Sequence, residues 1–290
     1  MTEDLEMASM SGMTSNFATC AGYEIHYTQW GSETAEPVVM WHGLTHNGRF
    51  FDPLARALSD RYRIICPDTI GRGLSQWPEN PESEYCFEVY SAIAQDLMDR
   101  LGLDTIRWVG SSMGGSLGMI LAGGAMKDRI SHLVLDDIGP EIPAATIQAV
   151  SKTREETPFF PTVQELADYF RVIYSQLSNI EFSDAEWLSI ARRFGRRADD
   201  GRFTIHNDPR VITQMTDHPE DFDLWAYYDA ITAKTFLLRG GRSIILAAET
   251  AAEMERRGPR PRIHLFEDIG HAPWLTTPGE IDLIADFLAT

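Results

Sequence analysis

Short apolar runs separated by helical periods set the rhythm of this chain. Runs at 38–41, 63–66, 106–109, 235–238 and 263–266 read as short buried strands, and residues 50–58, 87–101 and 248–257 carry the 3.6-residue period of helices. A small-residue stretch at 116–125 continues as a helix. Thr277-Pro278-Gly279-Glu280 has the signature of a helix start, with proline in the first turn and glutamate placed for a capping box. Between Glu141 and about Tyr228 the strand rhythm stops, and helix-like patterns appear at 163–177 and 184–197. This block reads as an insertion between two sheet strands. No internal repeat and no low-complexity tract interrupts the alternation.

Composition narrows the picture. At 290 residues with 43% hydrophobic positions, the chain has enough apolar surface for a large core. Its 43 Asp and Glu against 25 Lys and Arg give a net charge of -18, which argues against nucleic-acid partners and anionic membranes. No apolar run approaches the roughly 20 residues of a membrane span, and the N-terminus lacks the basic start and apolar core of a signal peptide. Residues 1–19 read as a flexible tail. Cys20, Cys66 and Cys86 are odd in number and show no metal spacing, which suits reduced thiols and a cytoplasmic location. No metal ligand set or phosphate-binding glycine fingerprint is visible, so the expectation is a protein without cofactor acting on a small molecule. Its oligomeric state is left open.

The chemistry concentrates at Gly110-Ser111-Ser112-Met113-Gly114, because the apolar run at 106–109 leads in and the small-residue helix leads out. Glycines on both sides of Ser112 permit a turn tight enough to stand its hydroxyl clear of the backbone, at the end of a strand and the start of a helix. A serine hydroxyl needs a base to take its proton and a third group to hold that base. His271, in the loop Asp268-Ile269-Gly270-His271-Ala272-Pro273 after the last strand, is the candidate base. The turn His42-Gly43-Leu44 closes the run at 38–41, where the Leu44 backbone N–H would aim at the same point as that of Met113. Two such donors make an oxyanion hole. His42 itself reads as a turn-stabilising residue, while Gly43, His46 and Asn47 lie near enough to be substrate-binding candidates.

Taken in order, His42-Gly43, Asp68-Thr69-Ile70-Gly71-Arg72-Gly73-Leu74-Ser75, the turn at Ser112, Leu133-Val134-Leu135-Asp136-Asp137-Ile138-Gly139-Pro140 and Gly270-His271 resemble the α/β-hydrolase superfamily over residues 23 to 289. The resemblance implies an α/β fold: a mostly parallel eight-stranded sheet, helices on both faces and a helical cap inserted after strand 6. It divides the chain into a core at 20–140 and 229–290 and a cap at 141–228.

The third group is where the chain departs from that pattern. Relatives commonly place an aspartate after the seventh strand in a segment like R-G-x-x-S-D, but this sequence reads Arg239-Gly240-Gly241-Arg242-Ser243-Ile244. Some members of the superfamily supply the acid from the end of the sixth strand, where Asp136 and Asp137 stand. Strand alternation sends neighbouring side chains to opposite sides. Only one of them can therefore face His271: Asp136 is the expected acid, and Asp137 the alternative, ranked second because a loop-fixing hydrogen bond to the turn at Gly139-Pro140 is its other reading. Glu141 and Glu249 are more distant candidates.

In the inserted block, Phe159, Phe160, Tyr169, Phe170, Tyr174, Trp187 and Phe194 would pack the cap or line an apolar pocket. Arg192, Arg193, Arg196 and Arg197 would form either a solvated face or a carboxylate-binding cluster on one cap helix. Taken together, these features predict a serine hydrolase acting through an acyl-enzyme on a small carboxylic ester or lactone. Amide or C–C bond cleavage on the same scaffold, a catalytically weakened ligand-binding member prompted by Ile244, and cofactor-free redox chemistry are the alternatives. An aspartate-nucleophile dehalogenase or epoxide hydrolase is excluded by serine at position 112.

Overall fold

The structure, a computed structural model, describes residues 12–151 and 157–290. Eight strands form one sheet in the order β1-β2-β4-β3-β5-β6-β10-β11. They are β1 (Met13–Cys20), β2 (Tyr23–Trp30), β3 (Glu36–Trp41), β4 (Tyr62–Pro67), β5 (Ile106–Ser111), β6 (Ile130–Asp136), β10 (Lys234–Gly240) and β11 (Arg262–Phe266). β1, β2 and β4 pair antiparallel, and every pairing from β4 through β3 to β11 is parallel. The expected α/β-hydrolase architecture is therefore present.

Alternation along β3 shows how the sheet feeds two cores. Val39 and Trp41 join one apolar cluster, Val38 and Met40 the other, and all four are fully buried. Helices α1 (Asp52–Leu58), α2 (Pro81–Glu84), α3 (Phe87–Arg100) and α4 (Met113–Gly123) precede the inserted block. α3 and α4 supply the first cluster and α1 the second. Trp41 and Trp108 stack at 5.4 Å in the first cluster, with Trp41 Nε1 donating to Thr69 Oγ1 and Trp108 Nε1 to the Gly114 carbonyl, each at 2.9 Å. Truncating either ring to alanine would cost about 3–5 kcal/mol, because both are wholly enclosed.

The inserted block lies between β6 and β10 and contains α5 (Ala144–Ser151), α6 (Val163–Ser178), α7 (Asp184–Phe194) and α8 (Gln214–Asp217). It also holds an antiparallel three-stranded sheet of β7 (Phe159–Phe160), β8 (Gly195–Arg197) and β9 (Phe203–Ile205). The apolar faces of α6 and α7 turn inward, burying Leu166, Phe170, Tyr174, Trp187, Ile190 and Phe194 in the second cluster. α9 (Trp225–Ala230), α10 (Ala248–Met254) and α11 (Pro278–Leu288) return to the core, and Thr277 and Glu280 form the capping box expected from their spacing.

Two expectations are corrected. Residues 13–19 are not tail but belong to the edge strand β1, paired with β2 at every position from Met13 to Cys20; residues 1–11 lie outside the described residues. A strand with solvent on one side needs few apolar residues, and Phe17 is more than half exposed, which hid β1 from an apolar-run reading. The helix predicted over 184–197 ends at Phe194, because the chain extends at Gly195 to pair with β9. A leucine side chain, Leu166 Cδ2, lies only 2.4 Å from where a Gly195 Cβ would stand, so glycine is what lets α6 pack there.

Candidate active site

β5 delivers Ser112 to the sheet edge, and the turn that receives it is strained. Ser112 sits at φ 49° and ψ -116°, a conformation that L residues seldom adopt. Two glycines make the turn possible by close approach. A Cβ on Gly110 would stand 2.3 Å from the Gly114 carbonyl oxygen, and a Cβ on Gly114 only 1.9 Å from that of Trp41. The motif therefore brings α4 hard against the end of β3. The Ser112 carbonyl accepts from Gly115 N at 2.8 Å and Ser116 N at 3.1 Å, so it points along α4. Because a trans peptide sets N–H opposite C=O, the Met113 N–H points back out of the helix start.

Ser112 Oγ lies 3.0 Å from His271 Nε2, and His271 Nδ1 lies 2.8 Å from Asp137 Oδ2. Asp137 is fully buried and accepts from Gly240 N (2.8 Å, Oδ1), Ser243 Oγ (2.6 Å, Oδ2) and Ala272 N (3.2 Å, Oδ2). A carboxylate surrounded by donors is fixed in direction. Ser112, Asp137 (φ 53°) and Ala272 (φ 58°) all adopt left-handed backbone, so three strained non-glycine residues meet at one place.

Asp136, the acid expected to face His271, does not touch it. It is the last residue of β6, paired in register with Ser111 and Leu238, and its side chain shares the face of Val134. It is fully buried, neither carboxylate oxygen has a hydrogen-bond partner, and burial pushes its pKa well above the ordinary carboxylate range. The alternation argument held in form, but strand geometry ends at Asp136. The left-handed Asp137 turns the chain and takes the side facing His271. Its bonds from Gly240 N and Ser243 Oγ fix the loop after β10, not the turn at Gly139-Pro140 that its alternative reading named. Ile244 is 59% exposed, so the position that relatives use for the acid faces solvent here. Glu141 is committed elsewhere, accepting from Trp225 Nε1 and Thr250 Oγ1, each at 3.0 Å. Glu249 lies in the first turn of α10.

The turn after β3 is pinned carbonyl by carbonyl. Gly43 O accepts from His42 Nδ1 at 2.7 Å and His46 N at 3.3 Å, Leu44 O from Arg72 Nε at 2.9 Å, and Thr45 O from Asn207 Nδ2 at 3.0 Å. With the Gly43 carbonyl tied to the two histidines, the Leu44 N–H points the opposite way. Gly43 itself lies beside Ser112, since a Cβ there would stand 3.5 Å from both Ser112 Cβ and His46 Nδ1. His42 Nδ1–H donates to Gly43 O while Nε2 accepts from Thr69 N at 3.0 Å, which fixes one neutral tautomer. Full burial lowers its pKa to about 4.

The sequence reading missed Arg72. Wholly buried, it bonds Leu44 O, the Ile70 carbonyl (2.8 Å) and Tyr90 OH (3.0 Å), approaches Met113 Sδ at 3.6 Å, and lies over the rings of Tyr85 and Tyr90. One guanidinium thus ties the turn after β3 to the start of α4. An arginine between two glycines was the available signal, but nothing local to it announces burial.

His46 and Asn47 part company. His46 Nε2 lies 3.0 Å from Tyr174 OH, and the imidazole packs among Phe50, Tyr174, Phe194 and Trp274 with ring centroids 4.9–5.8 Å apart. Burial, with the nearby His42, His271 and Arg193, lowers its pKa to about 3, so it is neutral at ordinary pH. Asn47 is a tie between this turn and the cap. Its Oδ1 accepts from Arg49 N and its Nδ2 donates to the Arg193 carbonyl, each at 3.0 Å. Trp274, three residues beyond His271, was also missed as the hub of this aromatic box.

The cap holds the histidine loop as well. α6 ends with Asn179 in the left-handed conformation, and the unsatisfied carbonyls of its last turn are met by the loop. Gly270 N donates to Ser178 O at 2.8 Å, His271 N to Leu177 O at 2.9 Å, and Ser178 Oγ to His271 O at 2.7 Å. The four cap arginines divide: Arg192 and Arg193 end α7, while Arg196 and Arg197 lie on β8, Arg197 over the Phe203 ring.

Comparison with known proteins agrees with this geometry. The profile of the α/β hydrolase fold matches residues 36–277. A 3-hydroxybutyrate-oligomer hydrolase of Cupriavidus necator is 31% identical over 274 residues, covering 91% of this chain and 92% of that protein. An esterase of Mycobacterium tuberculosis is 25% identical over 276 residues, covering 94% and 88%. The crystal structure of a putative hydrolase from Rickettsia typhi superposes with a TM-score of 0.86 at 26% identity, covering 96% and 98%. Strand order, the strained serine turn and sequence kinship over nine-tenths of the length converge, and the chain belongs to the α/β-hydrolase fold family.

Proposed function

We propose that this chain is a serine hydrolase of carboxylic esters, working through an acyl-enzyme. The observation that carries the reading is the unbroken line Ser112 Oγ, His271, Asp137, with contacts of 3.0 and 2.8 Å. Ser112 attacks the ester carbonyl while His271 Nε2 takes its proton, and Asp137 holds the imidazole by Nδ1–H and balances its charge. The Leu44 and Met113 N–H groups receive the developing oxyanion; their outward direction, set by the bonds on the Gly43 and Ser112 carbonyls, supports that role. His271 then protonates the leaving alcohol, and a water activated by the same imidazole releases the acid.

For substrate, we propose a short linear ester of a hydroxy acid. The likeness to a 3-hydroxybutyrate-oligomer hydrolase supports this, since an oligomer of a hydroxy acid is a chain of ester bonds. The ligand-binding alternative rested on isoleucine at position 244, and the contact between Asp137 and His271 supports turnover over it. The test is a fluorophosphonate adduct mapped by mass spectrometry, with turnover measured on p-nitrophenyl butyrate and on 3-hydroxybutyrate dimer and trimer. The expected result is one adduct at Ser112, with adduct and turnover both lost in Ser112→Ala. An adduct elsewhere, or none on folded protein, would overturn the reading.

A further inference from the structure

Gly43 leaves a gap beside Ser112, and an imidazole borders it. A Cβ on Gly43 would meet Ser112 Cβ and His46 Nδ1 at the same ordinary contact distance of 3.5 Å, so the bare glycine backbone leaves room between the two. His46 Nδ1 therefore stands no farther from Ser112 Cβ than twice that distance.

The imidazole is held from several sides. Nε2 lies 3.0 Å from Tyr174 OH on the cap helix α6, His46 N donates to the Gly43 carbonyl at 3.3 Å, and the rings of Phe50, Phe194 and Trp274 close around it. Nδ1 has no hydrogen-bond partner among the described residues, and His46 is only partly buried. The free nitrogen is thus the one on the Ser112 side.

Acidity decides what that nitrogen carries. Burial raises the Tyr174 pKa above its ordinary 10, so the phenol keeps its proton, and the same enclosure keeps His46 neutral. A phenol is the stronger donor of the pair and an imidazole nitrogen the stronger acceptor, so Tyr174 OH donates to Nε2 and the single ring proton sits on Nδ1. The atom bordering the gap is an N–H donor. A hydroxyl two carbons from an ester carbonyl reaches about 3–4 Å from that carbon by ordinary bond lengths, and a hydrogen bond of about 3 Å spans the remainder.

We propose that His46 is a specificity-determining residue, whose Nδ1–H, held by Tyr174, donates to a 3-hydroxyl on the acyl group and so selects 3-hydroxyacyl esters over plain acyl esters of the same length. The inference rests on ester hydrolysis at Ser112 and adds the substrate group that the site reads. An unsubstituted acyl chain would cover the same N–H and leave it unpaired, which is the source of the discrimination.

The test is kcat/KM on p-nitrophenyl 3-hydroxybutyrate, each enantiomer separately, against p-nitrophenyl butyrate. The esters share leaving group and chain length, so their ratio isolates the hydroxyl. Wild type should favour one hydroxy enantiomer over butyrate, and His46→Phe, which keeps a ring in the aromatic box, should lower that ratio by about fivefold or more. Tyr174→Phe removes only the hydroxyl that fixes Nε2; it should move the ratio in the same direction, and it serves should the first variant fold poorly. A packing role alone would slow both esters together and leave the ratio where it was. Turnover by wild type with no preference for either hydroxy enantiomer, or an unchanged ratio in both variants, would overturn the proposal and leave hydrolysis at Ser112 standing. No turnover of any of these esters by folded wild type would sink the hydrolase reading and this inference with it.

Discussion

Two adjacent aspartates with the same formula have opposite electrostatics. Asp137 accepts from four donors, whereas Asp136 is sealed by burial beside only the Ser111 hydroxyl, which makes no well-formed hydrogen bond to it. Asp137→Asn should lower kcat by on the order of 10³- to 10⁴-fold, since an amide cannot hold the productive tautomer or balance the imidazolium. Asp136→Asn should stay within about threefold of wild type on the same ester, as no reacting atom depends on its charge. The sign of its stability effect follows from linkage. A carboxyl whose folded pKa lies above its unfolded value disfavours folding once pH rises through that unfolded value, ordinarily 3.8. Asp136→Asn removes that penalty, so its melting temperature at pH 7 should equal or exceed that of wild type. A collapse of kcat in Asp136→Asn with Asp137→Asn unaffected would reverse the assignment. Ile244→Asp should not rescue Asp137→Asn, because position 244 faces solvent.

Elements meet at this site through a few ties that no single element explains. Arg72 belongs to the loop after β4, yet it bonds the turn after β3 and contacts the start of α4. We expect Arg72→Lys to keep the charge but lose the fork that reaches Leu44 O and Tyr90 OH together. The measurable result is a fall in kcat of about tenfold or more with little change in KM, as expected when the donors for a developing oxyanion drift. Equal loss in KM and kcat, or none in either, would argue against a positioning role. Most elements were legible from their own residues: strands from apolar runs, α11 from Thr277 and Glu280, the serine turn from its glycines. β1 was not, because an edge strand can be polar. The end of α7 was not, because a partner strand, β9, captured residues that would otherwise continue the helix.

At the scale of the whole molecule, burial of neutral histidines makes stability fall with acid. His42 titrates near 4 when folded and near its ordinary 6.5 when unfolded, so the unfolded chain binds more protons between those values. Its contribution is complete above about pH 6.5 and is lost as pH drops toward 4, on the order of 3 kcal/mol across the whole window. His46 acts in the same direction. Urea denaturation at pH 7 and pH 4.5 should show a smaller acid-induced loss in His42→Gln than in wild type. The comparison of the two proteins cancels the opposing relief of charge repulsion as the -18 chain is neutralised. Identical losses in both would sink this account.

The sequence determined the turn at Ser112, the histidine loop and the turn after β3, because each is written in residues a few positions apart whose sterics or hydrogen bonds act at short range, and the fold class through the resemblance those ordered segments carry together. Tertiary structure alone decided which aspartate meets His271, that Arg72 is buried as a tie and that Asn47 serves the cap. Those outcomes depend on where strand alternation ends and on contacts between residues from 28 positions apart, Arg72 to Leu44, to 146, Asn47 to Arg193. A side chain's direction at the end of a strand turns on a single backbone φ, and that angle at Asp137 is fixed by Gly240, Ser243 and Ala272, none of which lies near it in the chain.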